Sequence, residues 1–211
     1  MADLKLSEVD RLQTKEYWDR RYQKDDENST FDWFKTFTDL EPFFRQHIEW
    51  DESPNLKLVM LGCGNSTLSK DLYDAGLKHI ANIDFASTCI EQMGELYKND
   101  KGMTWQVMDV RDMVAFADNT FDVAIDKGTL DALLSYTGSV WDIPVEIKES
   151  TAKYMDEVNR ILKPSGKMLY ISYRQPHFAR AVIAREYWTM TTQTIPDPAG
   201  GFDYFGYVLQ K

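Results

Sequence analysis

The chain has 211 residues, and its 24 Lys and Arg against 34 Asp and Glu give a formal net charge of −10. A hydrophobic content of 43% and an aromatic content of 13% exclude a disordered segment and indicate one domain with a substantial core. An acidic surface repels phosphate backbones, so the composition argues against a nucleic-acid substrate and favours a basic protein or a small molecule.

The first 55 residues predict a helical, aromatic-rich leader. Apolar positions among charged ones predict a helix over 7–24, a polar break follows at 25–29, and a second helix is predicted over 39–48. We expect residues 1–55 to close over a bound ligand and residues 56–211 to form the core of the same structural domain.

Strands and helices alternate through the core, which predicts a parallel, doubly wound sheet. Two apolar segments near the carboxyl terminus flank a Pro- and Gly-rich loop and predict an antiparallel hairpin. The expected fold is therefore α/β, a mostly parallel seven-stranded sheet ending in that hairpin. The predicted strands are 57–61, 79–83, 103–107, 121–125 and 166–172, the helices are 66–76, 87–98, 150–162 and 176–185, and the hairpin segments are 187–195 and 204–209.

Three features at successive strand ends predict a nucleotide-binding site. Gly62 and Gly64 form a glycine turn after the first strand, where the backbone can approach a ligand closely. Asp84 ends the second strand, where a carboxylate can accept both hydroxyls of a ribose. Asp109 follows the third strand and can accept a hydrogen bond from the adenine amine. Because Ser66 replaces a third glycine, the turn favours S-adenosylmethionine over a dinucleotide.

Each of these features has an ordinary explanation when it stands alone. A single Gly-x-Gly is usually only a turn, and an Asp at a strand end is usually a cap or a solvated loop residue. Their combination after three consecutive strands indicates S-adenosylmethionine. Cys63 has no histidine near it in the sequence and is not expected to be a nucleophile.

The sequence predicts a cytoplasmic protein. Its first residues lack the apolar run of a signal peptide, and no run is long enough to cross a membrane. The two cysteines, Cys63 and Cys89, do not suggest a disulfide framework. His47, His79 and His177 are too scattered to predict a metal site. We expect a monomer that binds neither membranes nor nucleic acid.

Three motifs make the chain similar to a known family. They are Tyr17–Tyr22 in the leader, Leu-Gly-Cys-Gly-Asn-Ser at 61–66 and Lys-Gly-Thr-Leu-Asp-Ala at 127–132. Over nearly its whole length the chain resembles a methyltransferase-like group of the class I S-adenosylmethionine-dependent methyltransferases. That group contains lysine N-methyltransferases of elongation factor 1-alpha and of citrate synthase. The resemblance implies a protein-lysine N-methyltransferase that acts on elongation factor 1-alpha, a basic protein, and releases S-adenosylhomocysteine.

The same resemblance implies which residues bind the cofactor. Trp18 and Tyr22 would close over its methionine end, although the residues alone suggest core aromatics. Phe85 directly follows the ribose carboxylate and could stack on the ligand, and the Val110 amide could face the adenine ring. The complete implied set is Trp18, Tyr22, Gly62, Gly64, Asp84, Phe85, Asp109, Val110 and Lys127.

Asp126 is the candidate catalytic residue, because class I enzymes commonly carry a substrate-facing polar group at the end of the fourth strand. It would orient the incoming ammonium and accept its proton. The alternative is a structural partner for Lys127. Trp33, Phe34 and Trp141 could line an apolar channel for the lysine stem or could equally be core residues.

Other functions stay open at this point. A small-molecule methyltransferase and a cofactor-binding interaction protein without turnover are the main alternatives. A nucleotide-dependent oxidoreductase is the alternative with the least support, because the glycine turn lacks a third glycine and the carboxyl-terminal segments predict a hairpin.

Overall fold

The computed structural model describes residues 7–24, 29–50, 55–139, 141–197 and 200–211. Most of the predicted polar break at 25–29 therefore lies outside the described residues. The helices are α1 Glu8–Arg11, α2 Lys15–Tyr22, α3 Phe37–His47, α4 Leu68–Asp74, α5 Ser87–Leu96, α6 Thr129–Leu133, α7 Val145–Ile161 and α8 Pro176–Ile183. The strands are β1 Lys57–Leu61, β2 His79–Asp84, β3 Met103–Val107, β4 Phe121–Lys127, β5 Leu162–Ser172, β6 Thr189–Ile195 and β7 Tyr204–Gln210.

The seven strands form one sheet in the order β3-β2-β1-β4-β5-β7-β6. Strands β1 to β5 pair in parallel, whereas β7 pairs antiparallel with both β5 and β6. The predicted fold is therefore confirmed, including the terminal hairpin. The chain order reverses between β1 and β4, and ligands of such sheets bind outside the carboxyl ends of the strands at that point.

Helices cover both faces of the sheet, and alternate residues of each strand supply the two cores. In β1, Leu58 and Met60 pack with apolar residues of α3, α4 and α5, whereas Val59 and Leu61 pack with residues of α6, α7 and α8. Burial on both faces explains why the parallel strands are continuous hydrophobic runs.

The leader differs from the prediction of a single helix over 7–24. Helix α1 ends at Arg11 and α2 starts at Lys15, because Thr14 has extended backbone angles (φ −102°, ψ 138°). The indole Nε1 of Trp18 donates a hydrogen bond to the Leu12 carbonyl at 2.8 Å. This bond satisfies a carbonyl that the interrupted helix leaves without an intrahelical partner.

Three further elements differ from the prediction by more than two residues. Helix α7 begins five residues earlier than 150, after Pro144, whose fixed φ suits a helix start. Strand β5 extends back to Leu162, although its register against β4 is irregular between Phe121 and Val123. The short helix α6 was not predicted. No helix within the described residues is long and apolar enough to cross a membrane.

Candidate active site

A cavity lies at the carboxyl ends of β1, β2, β3, β4 and β5, beneath the leader. Every residue of the implied cofactor set lines it, and so do Trp33 and Phe34 of the proposed channel. The five strand ends bring together residues that are far apart in sequence. The predicted residues in its wall are Trp18, Tyr22, Gly62, Gly64, Asp84, Phe85, Asp109, Val110 and Lys127.

The glycine turn after β1 has a left-handed backbone. Gly62 has φ +67° and Gly64 has φ +52°, which side chains other than glycine rarely adopt. A Cβ on Gly62 would lie 2.2 Å from Oγ1 of Thr129, so helix α6 packs directly against the turn. The Cys63 amide donates to the Ile83 carbonyl at 2.9 Å and fixes the turn to β2. The glycines are required by this close packing.

Asp84 holds the turn from the end of β2. Its carboxylate accepts hydrogen bonds from the amides of Gly64 (3.0 Å) and Ala86 (2.9 Å), and the residue is 6% exposed. Burial raises the pKa of Asp84 to about 6, although the two amides lower it in part. The group is therefore mostly ionised at neutral pH. The nearby carboxylate of Asp19 also raises this pKa, and its buried Oδ1 accepts no hydrogen bond from any residue that the structure describes.

The leader closes the cavity with aromatic rings. The rings of Trp18 and Tyr22 stack with centroids 5.8 Å apart, and Tyr22 is 3% exposed. A Cβ on Gly64 would lie 2.9 Å from the Tyr22 hydroxyl oxygen, so this tyrosine contacts the glycine turn. Phe85 packs into the same small core cluster. Helix α2 thus contributes wall to the cavity as well as core.

Lys127 forms an ion pair with Asp32 and not with Asp126. Its Nζ lies 3.0 Å from Oδ1 of Asp32 and donates to the Trp33 carbonyl at 2.8 Å. Thr67 donates to the same carboxylate at 3.1 Å. Burial alone would raise the pKa of Asp32, but Lys127 and the hydroxyl donors hold it below its usual value. The predicted Asp126–Lys127 partnership is therefore wrong, and the ion pair fastens the 31–34 segment to the sheet.

Asp126 is fully buried (0% exposed) and is not one of the described residues that line the cavity. Its carboxylate accepts hydrogen bonds from the amides of Thr129 (2.9 Å) and Leu130 (3.0 Å) and from the Tyr154 hydroxyl (2.7 Å). These contacts cap α6 and join it to α7. The structure therefore places this carboxylate away from the cavity, where it supports α6, and these contacts argue against the catalytic role, which stays a prediction.

Substitution of Asp126 tests this structural role through pH. Burial raises the pKa of Asp126 from 3.8 to about 7, against a smaller opposing effect of the Tyr154 hydrogen bond. A carboxyl group whose folded pKa is raised stabilises the fold fully below its unfolded pKa, and this contribution is lost as pH rises through about 7. The free energy of unfolding of the wild type relative to Asp126→Asn is thus expected to fall by on the order of 4 kcal/mol between about pH 4 and pH 8. Urea denaturation of both proteins across this range measures it, and a constant difference would contradict it.

Asp109 forms an ion pair with its neighbour Arg111. The guanidinium and the amide of Arg111 donate to the carboxylate at 2.6 to 3.1 Å. Burial alone would raise the pKa of Asp109, but these hydrogen bonds lower it below its usual value. The local salt bridge considered for Arg111 from the sequence is present, and Asp109 still lines the cavity beside the buried Val110.

Trp141 lies outside the cavity wall, and Cys63 lies inside it as a protonated thiol. Trp141 is 79% exposed and stacks on His177 with centroids 6.0 Å apart, and it is not among the described residues of the cavity wall. Its proposed role in the channel is therefore corrected. Burial raises the pKa of the Cys63 thiol well above its usual value, so the thiol is protonated and unsuited to nucleophilic attack.

The sequence reasoning missed three cavity residues that have charge or aromatic character. Phe31 lies in the leader, Asp131 lies inside the Lys-Gly-Thr-Leu-Asp-Ala motif, and Tyr173 directly follows β5. The rule that ligands bind at strand ends could have identified Tyr173. Within the described residues, no group of three His, Cys, Asp or Glu side chains could hold a metal ion.

Known proteins are similar to this chain in sequence and in fold. The family described as Methyltransferase domain matches residues 59–170. EEF1A lysine methyltransferase 4 of Bos taurus is 31% identical over 198 residues, which cover 93% of this chain and 74% of that protein. The eEF1A lysine and N-terminal methyltransferase of Homo sapiens is 32% identical over 209 residues, which cover 93% of this chain and 28% of that protein. The solved N-methyltransferase NodS of Bradyrhizobium japonicum, in complex with S-adenosyl-L-homocysteine, has the same fold, with a TM-score of 0.59, 13% identity and coverage of 94% of this chain and 98% of that one.

Proposed function

Because the chain belongs to the methyltransferase domain family, we propose that it transfers methyl groups from S-adenosylmethionine to lysine side chains of elongation factor 1-alpha. The observation that carries the proposal is the cavity at the strand ends, which is lined by Asp84, Asp109 and the glycine turn. Relatives about 30% identical over 93% of the chain are named for lysine methylation of eEF1A, and their names support the choice of substrate.

The cavity has the chemistry that S-adenosylmethionine requires. Asp84 uses one lone pair of each oxygen for a backbone amide, which leaves acceptor capacity for two ribose hydroxyls. The bound cofactor is a cation, and the carboxylate of Asp84 supplies negative charge in the cavity wall. We infer that the cofactor is held by Trp18, Tyr22, Gly62, Gly64, Asp84, Phe85, Asp109, Val110 and Lys127.

Two of these residues are themselves members of ion pairs. Lys127 forms an ion pair with Asp32. It therefore supports the cofactor site indirectly, because this ion pair keeps Trp33 and Phe34 in the cavity wall. Asp109 is kept ionised by Arg111, whose N–H groups contact both carboxylate oxygens, so a hydrogen bond from the adenine amine would share an oxygen with Arg111.

In methyl transfer the protein mainly positions the acceptor amine relative to the methyl group of the cofactor. When bound, the cofactor would supply a methyl group on a sulfonium sulfur, which departs as a neutral thioether and is therefore a good leaving group. The protein must align an uncharged amine with that methyl and exclude water. The rings of Trp18, Trp33 and Phe34 supply an apolar wall for this purpose.

The charge of the chain suits a protein substrate. A net charge of −10 would steer a basic partner such as elongation factor 1-alpha toward the enzyme. Because that partner is a translation factor, we propose that the reaction takes place in the cytoplasm.

We expect the purified chain to methylate recombinant elongation factor 1-alpha in the presence of S-adenosylmethionine. Intact-mass and peptide mass spectrometry of the acceptor would detect the added methyl groups and the lysine that carries them. Omission of the cofactor is the first control, and a reaction with labelled cofactor and cell lysate is the second. A label found only in a solvent-extractable product would instead indicate a small-molecule methyltransferase, and no transfer at all would indicate a binding protein.

A further inference from the structure

The end of the cavity that lies away from Asp84 contains only one of the residues assigned to the cofactor, Lys127. Asp84 ends β2, whereas Tyr173 follows β5, which is three strand positions away in the sheet. Adjacent strands are about 4.8 Å apart, so these two ends are separated by about 14 Å. Phe34, Asp131 and Tyr173 line this second end.

Asp131 is a buried carboxylate in the cavity wall. It is 4% exposed, and it accepts hydrogen bonds from the Tyr170 hydroxyl (2.9 Å) and the Ser172 hydroxyl (2.7 Å). Nε of Arg174 lies 3.8 Å from Oδ1, an ion pair without a hydrogen bond, and its charge lowers the pKa of Asp131. Burial raises the pKa of Asp131 to about 6, so the group is mostly ionised at neutral pH. Each oxygen keeps a lone pair that can accept a hydrogen bond from a ligand.

Two aromatic rings lie at the same end of the cavity. The rings of Phe34 and Tyr173 meet edge to face with centroids 5.5 Å apart, and Tyr173 is 51% exposed. Phe34 has φ +69°, a strained backbone conformation for an aromatic residue, and strain of this kind clusters at functional sites. A Cβ on Gly128 would lie 3.1 Å from the Phe34 ring, so the absence of a side chain there makes room for that ring.

We propose that Asp131, Phe34 and Tyr173 form the subsite for the acceptor lysine, an inference that rests on the proposed function. A carboxylate beside two aromatic rings matches an alkylammonium group, because the carboxylate accepts its N–H donors and the ring faces attract its positive charge. The rings also cover the apolar stem of the lysine side chain.

The subsite accounts for the charge changes of the transfer. The acceptor ammonium first loses a proton to solvent. Its nitrogen lone pair then forms the bond to the methyl carbon while the carbon–sulfur bond breaks, which leaves a neutral thioether and a positively charged nitrogen. The ionised Asp131 stabilises this developing positive charge, and the proton of the methylated amine leaves to solvent.

The test is a comparison of three variants in the methylation of elongation factor 1-alpha. Asp131→Asn keeps the size of the side chain and removes its charge, and we expect kcat/KM for the acceptor protein to fall on the order of 10²-fold. Tyr173→Ala is expected to raise KM about tenfold, whereas Tyr173→Phe keeps the ring and should behave as wild type. Asp122→Asn is the control and should behave as wild type, because it neutralises a strand carboxylate outside the cavity wall that has no contact with α6.

Titration with S-adenosylmethionine separates a subsite from a merely structural role. The affinity of Asp131→Asn for the cofactor should stay within about threefold of wild type, because the acceptor end is remote from Asp84. A parallel loss of cofactor affinity, or an unchanged kcat/KM for the acceptor, would overturn the proposal.

A second measurement keeps the subsite testable if elongation factor 1-alpha is not the substrate. Butylamine, which imitates the lysine side chain, is titrated into the complex with S-adenosylhomocysteine and followed by chemical shifts of the cavity residues. Binding that Asp131→Asn abolishes would support the subsite even though the proposed substrate had failed. Equal binding to both proteins would overturn the subsite.

Discussion

Replacement of Asp84 by asparagine is expected to lower the affinity for S-adenosylmethionine by on the order of 10²–10⁴-fold. Hydrogen bonds to a charged group contribute about 1.5–3 kcal/mol each, so the loss of two ribose contacts costs about 3–6 kcal/mol. The amides of Gly64 and Ala86 bond to different oxygens of Asp84, so the NH₂ group of the asparagine must also face one of these two donors. Isothermal titration with S-adenosylmethionine measures the effect.

Asp122→Asn is the control for this experiment. Asp122 also lies on a strand, but it is near the amino end of β4, away from the cavity. It accepts hydrogen bonds there from the Lys57 amide at 2.9 Å and from the Lys163 side chain. Its neutralisation should leave cofactor affinity within about threefold of wild type. Micromolar binding retained by Asp84→Asn would contradict the ribose assignment.

Gly62→Ala is expected to destabilise the fold by about 2–5 kcal/mol and to abolish cofactor binding. The left-handed φ of +67° costs an alanine about 1–2 kcal/mol, and overpacking adds about 1–3 kcal/mol. Thr129 cannot move away without loss of its hydrogen bonds to the carbonyls of Leu61 (2.8 Å) and Gly62 (3.1 Å). Urea unfolding and titration with S-adenosylmethionine measure the two effects.

Two variants separate the clash from the backbone strain. Gly200 has φ +76°, and a Cβ there meets no atom of the described structure within 4 Å, so Gly200→Ala should show the strain alone. Thr129→Gly in the Gly62→Ala background removes the clash and should recover stability in part. If Gly62→Ala were no more destabilising than Gly200→Ala, the close packing of α6 on the turn would not matter.

The sequence was sufficient to predict the sheet and the cofactor end of the site. Runs such as 57–61 and 79–83 are apolar because both faces of the strands are buried, and this pattern is local. Gly62, Asp84 and Asp109 lie at or within two residues of a strand end, so a parallel sheet brings them to the same end of the sheet. The position of these residues follows from the sheet topology, and the sequence pattern was sufficient to predict that topology.

The direction in which a side chain points at a strand end could not be predicted from the sequence pattern. Asp126 ends β4, as the rule for class I sites expects, but its carboxylate turns inward to bind the Thr129 and Leu130 amides. Asp131, five residues later, reaches the cavity because one turn of α6 rotates it there. The pairing of Lys127 with Asp32 joins residues 95 positions apart, and no local pattern encodes it.

The cavity has a consequence for how the protein folds. Its wall draws on residues from Leu12 to Tyr173, and its five strand ends meet only after long-range parallel pairing is complete. Contacts of high sequence separation form late and slowly, because chain entropy must be lost before they can form. Competence to bind the cofactor should therefore be among the last properties a refolding chain acquires, and a ligand that binds only this completed state stabilises the whole sheet by mass action.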